Sequence, residues 1–140
     1  MTVEDTRRTI DAYLAALTSF GDFGAFFSED AVWITMENGE QVHGREAIRD
    51  LILLFHQQVF DARAEIKGVI VADGYAVLEA TFVGTQQLEF AGIAPSGGSI
   101  RVPYTMVYEI SGGLITELRA YLPFTTIRDQ LLNAVPAQGA

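Results

Sequence analysis

The chain has 140 residues, 49% of them hydrophobic and 11% aromatic, with 18 acidic against 9 basic side chains and a formal net charge of -9. A single domain of this length buries roughly 68–70% of its unfolded surface, enough for a core and a pocket, while the negative charge repels a phosphate backbone or an anionic bilayer, so neither nucleic acid nor membrane is expected as a partner. Zero cysteines exclude disulfides, thiolate nucleophiles and cysteine-ligated metals.

Val3, Ile10, Tyr13, Leu14 and Leu17 recur at helical spacing and predict an amphipathic first helix. Residues 1–11 are charged and contain no apolar run followed by small residues, so the reading is of a cytoplasmic chain without a secretory signal. Beyond Gly21 and Gly24 a short helical turn through Phe26 and Phe27 leads to a strand over 31–36, rich in β-branched and aromatic residues. Asn38-Gly39 predicts a hairpin turn into a short return strand ending at His43, because both residues tolerate positive φ. Gly44 opens a second helix from Arg45 to about Gln58, with Ile48, Leu51, Ile52, Phe55 and Val59 on its core stripe. The aliphatic block 51–55 is far shorter than the ~20 residues of a membrane span.

Four strands follow, over 62–72, 75–91, 99–110 and 114–122. Their separators, Asp73-Gly74, Pro95-Ser96-Gly97-Gly98 and Ser111-Gly112-Gly113, are hairpin signals, so the four predict an antiparallel meander. An amphipathic piece over 127–132 packs on the sheet before a frayed tail over 136–140. The order predicts an α+β domain across 1–140, with an ordered core of about 3–133: a curved antiparallel sheet whose concave side carries the helices around a pocket.

Period-two alternation places Leu118, Ala120 and Leu122 on the inner face of the last strand. Helix stripes and strand parity then converge on a pocket wall of Trp33, Phe55, Leu78, Phe82, Leu118 and Leu122, with Tyr13 projecting inward. The outer face, read as Glu79, Thr81, Tyr104, Tyr108, Arg119 and Tyr121, mixes aromatic and charged groups as a protein interface does.

Several residues are candidates for chemistry. Tyr13 is either a hydrogen-bond donor to a ligand oxygen that gains negative charge or a core tyrosine with a structural partner. His56 borders the apolar stripe one turn beyond Ile52; it is either a general base titrating near neutrality or a satisfied helix histidine. Trp33 and Thr35 share one face of the first strand, and Glu37 shares their parity near the mouth, where a solvated turn residue is the alternative to a base. Arg101 is placed at the rim, where it holds an anionic ligand group or pairs with a neighbouring acid. His43 reads as structural, and two histidines without carboxylates at ligand spacing predict neither a metal nor a cofactor.

Four segments carry a family resemblance: Phe27-Ser28-Glu29-Asp30-Ala31-Val32-Trp33, Gly44-Arg45-Glu46-Ala47-Ile48, Gly92-Ile93-Ala94-Pro95-Ser96-Gly97, and Gly113-Leu114-Ile115-Thr116-Glu117 followed by Arg119-Ala120-Tyr121. In this order the chain resembles the nuclear-transport-factor-2-like (cystatin-like) superfamily, and more narrowly its SnoaL-type polyketide cyclases, limonene-epoxide hydrolases and ketosteroid isomerases. The resemblance implies a cone-shaped fold with an internal pocket and dimerisation through the outer sheet face. It also implies which catalytic groups are missing. The acid/base aspartate of the cyclases and hydrolases falls at Ala120, and the hydrolases' further Arg and Asp fall at Ala80 and Phe82. The isomerases' helix tyrosine is matched by Tyr13, while their two acids fall near Thr35 and Thr105.

The expected function is that of a small cofactor-free enzyme acting on an apolar oxygenated metabolite, polyketide, terpenoid or steroid-like, by isomerisation or cyclisation. Positioning in an apolar pocket supplies the catalysis, at most ~7–11 kcal/mol. The alternative is a small-molecule binding protein that uses the same pocket without chemistry.

Overall fold

In a computed structural model, which describes residues 2–95 and 97–133, the chain begins with α1 (Val3–Thr18). Thr2 and Asp5 close a capping box: the Thr2 hydroxyl accepts the Asp5 N–H at 3.1 Å, and the Asp5 carboxylate accepts the Thr2 N–H at 3.2 Å. Two donors that the first turn leaves without helical partners are thereby satisfied. One turn on, the fully buried Thr6 hydroxyl accepts the Gly74 N–H at 3.0 Å. That bond fastens α1 across the sheet and points Ile10, Tyr13, Leu14 and Leu17 at its inner face.

A single-turn 3-10 helix (Phe23–Phe26) leads into β1 (Phe27–Thr35), which pairs antiparallel with β2 (Glu40–His43). Thr35 lies opposite Glu40, so the connection has four residues, with Gly39 at φ +78° and the Asn38 side chain accepting the Glu40 N–H at 2.9 Å. Gly44, at φ +100°, precedes α2 (Arg45–Leu53). The predicted helix to about Gln58 ends its α-helical course early, because Leu54–Val59 forms a π-helical turn. Wider turns of this kind often sit at functional sites.

Four long strands complete the sheet: β3 (Phe60–Ala72), β4 (Tyr75–Gln86), β5 (Ser99–Ser111) and β6 (Leu114–Tyr121), with α3 (Phe124–Asn133) after them. β3 to β6 form the predicted antiparallel meander. The sheet as a whole is mixed, however, in the order β2-β1-β6-β5-β4-β3. The chain crosses from β2 to the far edge, meanders back, and lays β6 beside β1 in the same direction, with Trp33 opposite Leu118 and Thr35 opposite Ala120. The expectation of a purely antiparallel sheet is corrected at that one pairing.

β4 stops at Gln86 instead of continuing to 91. Beyond it the Gln87 and Leu88 N–H groups turn to the Val59 carbonyl, at 2.7 and 3.2 Å. Of the hairpin signal 95–98, Ser96 lies outside the described residues, as does the tail over 136–140.

The core has two parts. One lies between α1, α2 and the middle of the sheet, around Tyr13, Phe27, Ile48, Leu78, Tyr108 and Leu118. The other gathers Phe60, Phe82, Val102, Leu122, Ile127 and Leu131 under α3. No helix among the described residues is long and apolar enough to cross a membrane.

Candidate functional site

A cavity of about 40 Å³ lies at the seam between the two core regions, with room for a water or two. α1 contributes Tyr13 and Leu17, β1 contributes Trp33, and α2 with its π-helical turn contributes Ile52, Phe55 and His56. The sheet adds Phe82, Tyr104, Met106 and Tyr108, and Leu122 closes the wall. Six residues expected to meet at a pocket do so: Tyr13, Trp33, Phe55, His56, Phe82 and Leu122.

Other expected wall residues sit deeper. Leu78, Leu118 and Ala120 do point inward, but each is packed within the core and does not line the cavity. Thr35 is buried and engaged, accepting the Trp33 indole N–H at 3.0 Å, outside the cavity wall. Its role is to hold Trp33. Arg101 is on the outer face of β5, exposed and paired with Glu65 at 2.5 Å, so of its two readings the structure has the acid pair, and the rim position that would hold a ligand is corrected. Glu37 is also committed elsewhere: its carboxylate accepts the Thr125 N–H at 3.2 Å and the Thr125 hydroxyl, capping the first turn of α3. His43 is exposed, with Nε2 2.9 Å from the Gln41 side chain.

The largest correction concerns Tyr104 and Tyr108, which the sequence reading put on the outer face. Ala80 lies opposite Tyr104, Leu78 opposite Met106 and Ala76 opposite Tyr108, and since cross-strand partners share a face, all are inside. The signal was in the alternation of β5 itself. Its even positions, Val102, Tyr104, Met106, Tyr108 and Ile110, are all apolar or aromatic, whereas the odd ones include Arg101 and Glu109. Leu17, Ile52 and Met106 were likewise not foreseen as lining the space. The outer face does carry Glu79, Thr81, Arg119 and Tyr121, with Arg119 paired to both Glu109 and Glu117.

Three tyrosines thus converge from two segments of chain. The Tyr13 and Tyr108 rings meet edge-on with centroids 5.7 Å apart, and Tyr13 also packs against Phe23, Phe26 and Phe27. Burial pushes the hydroxyl of Tyr104 up to about 12 and those of Tyr13 and Tyr108 higher, the latter two also because each resists a negative charge beside a neighbouring tyrosine. All three therefore stay protonated donors across the neutral range.

His56 completes the polar set. Its Nδ1 lies 2.8 Å from the Ile52 carbonyl, and since a carbonyl only accepts, Nδ1 carries the proton. Nε2 is then a bare acceptor, buried and without a partner among the described residues. The ring lies edge-on to Phe20 and Phe82, at 5.9 and 5.3 Å. Burial holds its pKa below the usual histidine value, only partly offset by the Ile52 bond. The arrangement is a neutral base beside hydroxyl donors in an apolar space. Among the described residues no three His, Asp or Glu side chains are grouped to hold a metal ion.

The family model for SnoaL-like domains matches residues 6–118. The fold is similar to that of a SnoaL-like polyketide cyclase structure from Jannaschia sp. CCS1, with a TM-score of 0.82, 17% identity and 93% of each chain covered. It is also similar to a protein of ketosteroid isomerase-like fold from Catenulispora acidiphila DSM 44928, with a TM-score of 0.71 at 20% identity over 89% of this chain and 92% of that one. An LEH-like epoxide hydrolase from M. tuberculosis gives a TM-score of 0.70 at 19% identity over 95% and 92%. At such identities the likeness speaks for the fold, the α+β cone expected from the sequence. No curated protein matches the chain.

Proposed function

The chain belongs to the SnoaL-like domain family, and from that premise we propose that it is a cofactor-free enzyme that isomerises or cyclises an apolar oxygenated metabolite of polyketide, terpenoid or steroid-like kind. The single observation that carries this reading is the pairing, in one apolar space, of an unpartnered His56 Nε2 with tyrosine hydroxyls. His56 Nε2 takes a proton from the carbon beside a ketone, and the C–H electrons move into the carbonyl to give an enolate. The enolate oxygen accepts hydrogen bonds from the tyrosines, which strengthen as charge develops. In isomerisation the imidazolium returns the proton to the far carbon of the conjugated system. In cyclisation the enolate carbon bonds a second carbonyl carbon, and the resulting alkoxide takes the proton from His56.

Apolar residues at Ala80, Phe82 and Ala120 favour a second reading, a protein that binds the same ligand class without transforming it. The two readings separate on deuterium exchange. The protein in D₂O with a β,γ-unsaturated cyclic ketone should incorporate deuterium and shift the double bond into conjugation, and His56→Gln should slow both by roughly 100-fold or more. Equal rates for the two proteins would overturn the enzyme reading.

The same proposal sets the enzyme in the cytoplasm as a homodimer through the outer sheet face. Val77 of β4 and Val107 of β5 give that face apolar area on one side of Arg119 and Ile34 of β1 on the other, Ile70 and Tyr121 are exposed on it, and Arg119 holds its centre through two carboxylates. Sedimentation at micromolar concentration checks the dimer.

A further inference from the structure

A cavity of about 40 Å³ does not hold a metabolite, since ligand sites for small molecules run to roughly 300–1,000 Å³. Immediately beside it, however, is a partly open groove of about 340 Å³. Its apolar wall is Leu51, Phe55, Phe90 and Phe124, and its rim is Thr35, Asn38, Glu40 and Gln41. Two side chains, Trp33 and Phe55, belong to both spaces and form the partition between them.

The two halves of the partition are held differently. Trp33 is anchored by its indole bond to Thr35. Phe55 has no polar anchor, stands on the π-helical turn, and touches rings only on the groove side, Phe90 at 6.2 Å and Phe124 at 5.5 Å. Phe90 is itself fixed. The buried Gln86 amide donates to the Leu88 and Ile93 carbonyls at 3.0 and 2.8 Å, and the Phe90 and Ile93 backbones bond each other, which sets the turn that presents the ring. Of the two side chains in the partition, Phe55 is the one held by ring packing alone.

Charge narrows the occupant. Among the described residues no lysine or arginine lines either space, Glu40 is the one carboxylic acid at the rim, and burial holds the His56 pKa below the usual histidine value. A carboxylate or phosphate entering here would lose its water without gaining a cation.

We propose that the groove and the cavity are two compartments of one ligand site joined by displacement of Phe55, and that the site takes a neutral, elongated, largely apolar molecule with a carbonyl oxygen at its narrow end. The carbonyl passes Phe55 to reach the tyrosines, and the apolar body lies along Phe90 and Phe124. Free acids and phosphorylated carriers are rejected. This deepens the proposed function and rests on its placing the reacting carbonyl among the tyrosines, but its test reads binding in place of turnover, so the two fail separately.

Trp33 is the one tryptophan of the chain and stands in the partition, so its fluorescence reports occupancy directly. The probes are 4-phenylcyclohexanone, neutral with its carbonyl at the narrow end, and 4-phenylcyclohexanecarboxylate, the same body ionised. The ketone should bind at least about tenfold more tightly than the carboxylate at pH 7. Phe55→Ala should speed ketone association by about tenfold, with Phe55→Leu between it and the parent, since removing the partition lowers a barrier. Tyr104→Phe should weaken the ketone by roughly threefold to tenfold, the worth of one hydrogen bond. Carboxylate binding as tight as ketone binding would overturn the neutral-ligand assignment. Unchanged association in both Phe55 variants, or no ketone binding to any of them, would overturn the two-compartment site.

Discussion

Tyr13 of α1 and Tyr108 of β5, 95 positions apart in the chain, bring their rings to 5.7 Å at an interplanar angle of 66° in the wall of the cavity, and neither has appreciable exposure. The contact joins the first helix to the middle of the sheet. With Tyr104 it makes the interior rich in hydroxyls that cannot ionise cheaply.

An alkaline limit to stability follows. The folded pKa of all three tyrosines is raised above the unfolded value near 10, so the unfolded chain loses these protons first. Stability is intact below pH 10 and falls as pH rises toward the folded values. Denaturant midpoints at pH 9 and pH 11 should show this loss, and Tyr104→Phe should reduce it by about 1 kcal/mol. A loss of the same size in Tyr104→Phe would mean that its hydroxyl is solvated.

Ala120→Asp is expected to behave in the same direction at lower pH. Ala120 is fully buried between Thr35 of β1 and Met106 of β5. A carboxyl there should have a folded pKa above the unfolded value of about 3.9. Its unfolded form deprotonates first, so the mutant's deficit against the parent grows as pH rises from about 4. Midpoints at pH 4 and pH 8 measure it, and a constant deficit would contradict desolvation at this site.

Gly84→Ala should destabilise by about 1–3 kcal/mol through overpacking. A Cβ at position 84 would lie 2.7 Å from the Ala62 Cβ and 3.1 Å from the Asp61 carbonyl oxygen, on the directly paired strand. Ala62→Gly should recover part of that loss in a double-mutant cycle. Additive single effects would show that the loss does not come from the contact with the Ala62 side chain.

Purified protein should not hydrolyse limonene oxide. The positions at which the epoxide-hydrolase resemblance requires ionisable groups carry Ala80, Phe82 and Ala120, and all three are buried on the inner face. No side chain there can activate water or protonate the epoxide. Diol formation above the buffer rate would show that other groups supply this chemistry.

His56→Leu should reduce acid sensitivity. Burial depresses the folded pKa of His56, so between pH 7 and pH 5 the unfolded chain takes up a proton that the folded one resists. Stability from this group is present above the unfolded pKa of about 6.5 and is lost as pH falls through the folded value. The parent should therefore lose more stability than the mutant over that interval, read from urea midpoints at both ends. Equal losses would place His56 in water.

Much of the architecture was legible in the chain. The helical stripe of α1, the alternation of Leu118, Ala120 and Leu122, and the glycine-marked turns are encoded by neighbours a few residues apart, where backbone geometry alone sets the period. That positions 80, 82 and 120 carry no ionisable side chain was equally plain. Tertiary structure decided the rest. The inward facing of Tyr104 and Tyr108 is written in the alternation of β5, but the bringing of Tyr13 onto Tyr108 depended on how α1 packs across the sheet, and the parallel pairing of β1 with β6 depended on a crossover that no local pattern records. The volume left inside was furthest from view, because it is the small remainder after side chains from α1, α2, β1, β4 and β5 have been packed together, and shifting any one ring changes it.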